Sequence, residues 1–394
     1  MSMWRRFFDF ISSMKLAIVC LAAATVLVFA GTLAQVHFGT HVVQERYFQS
    51  MLIWWPAESH GFRIPVFPGG HLLGAVLLIN LLAAHLRRFR LNLRNAGMHL
   101  IHGGLIIMLA GGLFTDLFSV ESQLQIAPGE TKNYSEDARF VELVIVDQRN
   151  SDADRVTAIP EARLRRGGTI NLSGLPFQVV IQHYYENSQI QMLDKADANA
   201  GRAADHGVGA QVSVRELPRA TSVDGVDLKS AVIQLVPTTE GGAAATGSLG
   251  TWLVSEGLGA TQTFSCAGGP WRLEMRPVRY YKPYSITLQK FTHENYPGTD
   301  IPKNFASQIT LIDPAHAVNR DVLIYMNHPL RYAGETYYQS GFGKDDQTSI
   351  LQVVHNPSFV APYIACVVIG FGMLIQFCYH FVGFTRRTNV TRAK

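Results

Sequence analysis

Four stretches of the chain stay apolar for about one membrane thickness. A helix needs ~20 mostly apolar residues to cross ~30 Å of hydrocarbon. Residues 16–35 meet this without a charge, 66–86 carry Pro68 near their start, and 96–118 and 362–382 complete the set. Arg5, Arg6 and Lys15 ahead of the first run, with Ala30 and Gly31 near its end, would also suit a cleaved signal peptide. The run is too long for an ordinary signal core and two more spans follow at once, so it reads as a span.

Between 119 and 361 the pattern changes to alternation of β-branched and aromatic residues, broken by Gly, Pro, Asn and Asp clusters. Residues 140–147, 177–185, 211–214, 231–236, 284–291, 308–312, 322–326 and 350–354 read as strands, and no long helical period appears. Residues 194–209 and 238–250 read as surface loops. The pattern predicts a membrane protein of four transmembrane helices and one large all-β domain, sandwich-like and antiparallel, outside the cytoplasm. Its plan is a 1–15 terminus, a 36–65 external loop, an 87–95 basic loop, the 119–361 domain and a 383–394 tail around the four spans.

Charge orients this plan. The net charge of +4 hides two unlike parts: 119–361 holds 21 basic and 26 acidic residues, and the remainder 13 basic and four acidic. Arg5, Arg6 and Lys15, then Arg87, Arg88, Arg90 and Arg94, then Arg386, Arg387, Arg392 and Lys394 fall on one side if there are four spans. Short cytoplasmic loops carry the Lys/Arg excess, which puts both termini in the cytoplasm and the large domain outside. A nucleic-acid binder would carry its basic residues on the polar domain, and here that domain is acidic. Only 16% of residues are charged, against ~25% in soluble chains, so a soluble enzyme is excluded too.

Of the four cysteines, Cys20, Cys366 and Cys378 lie in spans and only Cys266 in the polar domain. That leaves no disulfide framework, and no Cys-x-x-Cys or Cys-x-x-Cys-His is present. A Gly-x-Ser-x-Gly elbow, a P-loop and a His-Glu-x-x-His site are absent as well, and no residue set resembles an acid/base pair or an activated nucleophile. What the spans do hold is histidine. Ionisable residues in spans are costly and mark function by default. His99 and His102 share one helical face, flanked by Gly103, Gly104, Gly111 and Gly112. His85 lies near the cytoplasmic boundary, His380 near the cytoplasmic end of the last span and His71 near the outer end of the second. Neutral imidazole is a usual axial ligand of haem iron, and small residues admit either a flat cofactor or a neighbouring helix. Asp116 falls at a span end, so the spans lack the carboxylates that a proton path recruits.

Several stretches resemble the ResB (CcsB) family of cytochrome c biogenesis proteins. Met98-His99-Leu100-Ile101-His102-Gly103-Gly104-Leu105 is similar to its His-x-Gly-Leu signature. Asn327-His328-Pro329-Leu330-Arg331-Tyr332 with Gly334 and Tyr338-Gln339-Ser340 resembles its "N-x-P-L-x-Y-x-G-x-x-x-Y-Q-S" stretch. Pro362-Tyr363-Ile364 with Gly370, Gly372 and Met373, and Met14-Lys15-Leu16-Ala17 through Gly31-Thr32-Leu33-Ala34-Gln35, resemble its last and first spans. The resemblance implies a subunit of a membrane cytochrome c synthase (system II) in a bacterial inner membrane. It would carry haem b noncovalently, as cargo, beside a CcsA/ResC-like partner, for delivery to apocytochrome c. It places the iron ligand most naturally on His102, with His99 beside the pattern and His85 as a further contact; His328 and His355 are candidate external contacts for haem or apocytochrome. Trp54-Trp55-Pro56 is not the partner's tryptophan-rich motif and reads as an interfacial anchor in membrane lipid.

Two other functions fit the same residues. One is a membrane electron carrier with a bis-histidine haem b; counting depth along the spans leaves His85 and His102 unequal, which weighs against it. The other is an anchored β-domain that binds protein partners without haem.

Overall fold

The computed structural model describes residues 3–55, 63–88, 92–150, 153–193, 201–220, 227–238, 248–259, 261–295, 297–298, 302–343 and 347–392. They divide into a helical unit, on residues 1–120 and 356–394, and a β unit, on 121–220 and 224–355. Residues 194–200 and 239–247 of the two expected loops, and Pro56, lie outside the described residues.

The helices are α1 (Met3–Ile11), α2 (Met14–Val43), α3 (Gly70–Arg88), α4 (Leu93–Phe118), the short α5 (Glu161–Arg166) within the β unit, and α6 (Ala361–Arg392). Four of them are long and apolar enough to cross a membrane, over Met14–Thr40, Gly70–Arg87, Arg94–Phe118 and Ala361–Thr385. Together with the antiparallel β unit they make the fold class that hydrophobic patterning predicts. The stretch 36–65 is more ordered than the loop expected there. α2 is broken at Gly39 (φ +76°), passes into one π-turn over Gln44–Phe48, and is followed by a hairpin of β1 (Leu52–Trp55) and β2 (Ile64–Pro68). Gly69 and Gly70 let the start of α3 press on that turn: a Cβ there would lie 2.1 Å from the Ser50 carbonyl oxygen and 2.3 Å from that of Phe48.

Two polar contacts fix α3 against the α1–α2 elbow. Asn80, buried in the middle of α3, donates its amide to the carbonyls of Ile11 and Ser13. Arg87 donates to the Ser12 hydroxyl at 3.0 Å and pairs with Asp9 at 2.7 Å. An amide inside an apolar helix is thereby satisfied by backbone carbonyls of the elbow.

Glycine joins α4 to α6. Gly97, Gly104 and Gly111 recur every seven residues, the spacing that keeps one seam facing an antiparallel or parallel neighbour. A Cβ on Gly97 would lie 2.6 Å from the Gly372 carbonyl oxygen, one on Gly104 2.5 Å from Ile369, and one on Gly111 2.6 Å from Ala361. As the α4 number rises the α6 number falls, so the helices are antiparallel. Gly103 and Gly112 have nothing within 4 Å. Of the four glycines singled out in sequence, two therefore serve helix packing and two face open space.

In the β unit the strands pair antiparallel wherever the register between described strands is defined. The long strands β4 (Thr131–Asp147) and β13 (Gly269–Asn295) run through two cores. Around the first, β5 (Arg155–Pro160) and β12 (Gln262–Cys266) flank them, facing a sheet in the order β11-β10-β7-β6 made by Thr251–Ser255, Ser230–Pro237, Phe177–Tyr185 and Gly168–Ile170. Phe177, Val179 and Ile181 point inward alternately and meet Ile233, Leu235, Trp252 and Trp271. A separate pair, β8 (Ser188–Met192) and β9 (Val212–Glu216), lies off this sheet. Around the second core the sheet runs β15-β14-β13-β4-β3-β18-β17-β16. Here β3 is Val120–Ile126, β14 Pro302–Asp313, β15 Val318–Tyr325, β16 Leu330–Tyr332, β17 Glu335–Phe342 and β18 Ser349–His355. Its far strands meet again: the buried Ser307 hydroxyl of β14 bonds Gln339 and Ser349 of β17 and β18, each at 2.6 Å. The sheet thus curls upon itself around Leu288, Ile309, Leu311, Ile324, Tyr337 and Leu351.

Buried carboxylates knit both cores. Glu161 on α5 accepts from the Val141 N–H, the Tyr184 hydroxyl and Arg165, and pairs with Lys229. Burial opposes its ionisation, but Val141, Lys229, Tyr184 and Arg165 outweigh it, and its pKa falls below the usual glutamate value. Glu335 behaves in the same way: burial is overcome by Lys282, Tyr284 and Tyr337. A carboxylate lowered in the folded state adds stability that is complete above the unfolded value of about 4.3 and is lost as pH falls through the folded one. Urea resistance of the β unit, read by the buried Trp252 and Trp271, is therefore expected to be flat from neutral pH down to about pH 5 and to fall below about pH 4. A rise on acidification would contradict these assignments.

Candidate functional site

α3 and α4 are antiparallel and close in sequence, so residues near their link face one another. The rings of His85 and His99 have centroids 5.1 Å apart and meet edge-on at 84°; those of His85 and His102 are 6.3 Å apart at 69°. The structure thus brings together three of the five helical histidines singled out in sequence, His85, His99 and His102. It corrects the depth count that separated His85 from His102: that count ran from different landmarks on each helix, whereas contact depends on the turn between them. Gly103, one turn on from His99 and next to His102 in sequence, has no atom within 4 Å of where a Cβ would sit.

Among the described residues no group of three or more His, Cys, Asp or Glu side chains is placed to hold a bare metal ion. An iron that arrives with four porphyrin nitrogens asks less, one or two imidazoles. Two imidazoles on opposite sides of one metal, each bonded at about 2 Å, have centroids on the order of 6 Å apart. The His85–His102 spacing of 6.3 Å is of that order.

The opposite end of the α3–α4 pair carries a polar contact that sequence reading missed. His71 Nε2 and Asp116 Oδ2 are 2.6 Å apart, and the other carboxylate oxygen of Asp116 accepts from Gln49 at 2.7 Å. Asp116 is thus no mere span-end residue. The signal available was spacing: 14 residues separate His71 from His85 on α3, and 14 separate His102 from Asp116 on α4. Two polar rungs about 21 Å apart therefore tie the same two helices. His380 bonds Gln376 on α6, at 2.8 Å.

His328 and His355 belong to the β unit. His328 stacks on Tyr325 with centroids 4.2 Å apart and planes at 11°, in a turn where Asn327 takes φ +63°. His355 ends β18 opposite Glu335, with its ring beside Gly334. The motif around them is a hairpin of β16 and β17. Ala333 (φ +49°) and Gly334 (φ +80°) are the two left-handed residues that such a tight turn needs. Tyr337 and Gln339 of that motif point into the second core. Cys20 is buried, Cys266 half-buried, and Cys366 and Cys378 are exposed; none forms a disulfide among the described residues.

Residues 229–364 match the model of the ResB-like family. Protein NrfI of Wolinella succinogenes is 29% identical over 92 residues, which are 23% of this chain and 10% of that protein, so the match spans only about a tenth of the relative's length. The family match covers the end of the β unit, including the hairpin of β16 and β17, and reaches the start of α6.

Proposed function

The chain belongs to the ResB-like family, and from that premise we propose that it serves cytochrome c biogenesis as a haem-delivering membrane subunit. In this reading His85, His99 and His102 hold haem b as noncovalent cargo within the membrane, His102 being the leading iron ligand. A CcsA/ResC-like protein shares the haem path, and the β unit, outside the cytoplasmic membrane, receives apocytochrome c, with His328 and His355 as candidate contacts. Both termini are then cytoplasmic, in line with the basic segments. The bond-forming chemistry belongs to haem vinyls and apocytochrome thiols; this chain's residues ligate, orient and exclude water.

The meeting of His85 with His99 and His102 carries the reading. It is tested by purifying the chain with its partner and recording the haem spectrum of His85→Ala, His99→Ala and His102→Ala. His102→Ala is expected to lower bound haem at least tenfold, and added imidazole to restore part of it. Full haem retention in all three variants would overturn the proposal.

The 6.3 Å approach of His85 and His102 also favours a second reading, a resident bis-histidine haem b that carries electrons. Redox titration of the chain without its partner separates the two. Tightly held haem that cycles reversibly supports the carrier, and haem lost on separation from the partner supports delivery.

A further inference from the structure

We propose that α1 is an interfacial strap that docks on the anionic lipid surface of the membrane at the end of α3 that bears His85. At 100° per residue, Met3, Trp4, Phe7, Phe8, Phe10 and Ile11 cover one side of this helix, and Arg5, Arg6 and Asp9 the other. The rest of the chain leaves the aromatic side uncovered: Trp4 is 77% exposed, Phe10 63% and Phe7 55%. Asp9, by contrast, is tied to Arg87 of α3, and the elbow that follows α1 is held by Asn80 and Arg87. The helix is therefore fixed along its polar side and presents its aromatic side outward.

Lipid is the occupant that this surface fits. The apolar surface of α2 begins at Met14, three residues beyond α1, so the two helices meet at the boundary of one hydrocarbon layer. A nine-residue helix is about 13 Å long and cannot cross that layer. An amphipathic helix with Trp and Phe on one side and Arg on the other lies in the headgroup plane. Arg5 and Arg6 flank the aromatic side, and basic residues near a surface of anionic lipid each favour binding. Through Arg87, two residues from His85, the strap also steadies the end of α3 that carries the histidine contact.

The full chain in nanodiscs tests this, with Trp4 as the probe. The Trp4 signal is the fluorescence of the native chain minus that of Trp4→Phe. Lipids brominated near the headgroup are expected to quench it at least twofold more than lipids brominated near the chain end. Replacing anionic by zwitterionic lipid is expected to shift Trp4 emission to the red, and Arg5→Gln/Arg6→Gln to abolish that lipid dependence. Trp4 unquenched by any brominated lipid would overturn the proposal; so would protection of Trp4 only when the partner membrane protein is added, which would make this side a protein interface. Neither measurement reads haem, so failure here leaves the haem-delivery reading intact, and the loss of that reading leaves this one.

Discussion

Lys282→Met is expected to destabilise the curled half of the β unit by about 3–5 kcal/mol, because it strands the Glu335 carboxylate without its cation. Glu335 and Lys282 are 11% and 12% exposed as side chains and form a direct ion pair. The remaining carboxylate oxygen lies 2.7 Å from the Tyr284 hydroxyl and 2.8 Å from the Tyr337 hydroxyl, which are themselves 2.8 Å apart, so the two phenolic protons serve two of these three contacts at a time. Breaking a buried pair from one side costs more than replacing both partners, since the surviving charge keeps its desolvation penalty. Burial, and after it Glu335, raise the pKa of Tyr284, so its hydroxyl stays protonated and remains a donor in this network. Urea unfolding of the full chain in detergent, followed by its β signal, measures the loss. The double variant Lys282→Met/Glu335→Gln is expected to recover at least half of it. Equal stability of Lys282→Met and the native chain would show that the pair is solvated and the network unimportant.

That network explains why the motif around β16 and β17 could be located in sequence but not interpreted there. Tyr332, Gly334 and Gln339 were visible as an ordered set. Their work is structural: Tyr332 donates to Asp313, Gly334 forms the turn, and Gln339 bonds Ser307. None of those partners is near in sequence. Strand β7, by contrast, could be read residue for residue, because one face is core and the other is not, and alternation records that difference directly. β13 could not be read as one strand. Pro277 and Pro283 interrupt its pattern, its register shifts after Pro277, and its inward residues pass from one core to the other.

The helical site divides along the same line. The histidines themselves were legible, since a histidine in an apolar run is conspicuous whatever surrounds it. Where those rings meet was not, because contact depends on how two helices are offset about their link. Asn80 went unremarked, and Asp116 was read only as a span-end residue, for the opposite reason. Each is polar for the sake of a distant partner, Ile11 and Ser13 for one and His71 for the other, and a single sequence shows only half of such a pair.

Glycine offers the sharpest test of how the seam and the histidine face are separated on α4. Gly97→Leu is expected to break the pairing of α4 with α6. Its Cβ alone would lie 2.6 Å from the Gly372 carbonyl oxygen and 2.8 Å from the Gln376 nitrogen, backbone atoms that cannot swing aside. Forcing extra carbons into a packed contact costs about 1–3 kcal/mol in ordinary cores, and a seam made of backbone has less freedom to adjust. Gly103→Leu meets nothing within 4 Å and replaces a poor helix former by a good one, so the seam should be unaffected or slightly strengthened. Yet its side chain would project from the residue after His102 and one turn from His99, the stretch of α4 where the proposed haem would bind. The two variants are therefore expected to diverge. Gly97→Leu lowers the melting temperature in detergent and bound haem falls with it, while Gly103→Leu melts like the native chain and still loses most of its haem. Gly103→Leu with full haem would mean that the cargo approaches the histidines from another side. Gly97→Leu with native melting would mean that α4 and α6 are held together by something other than their glycines.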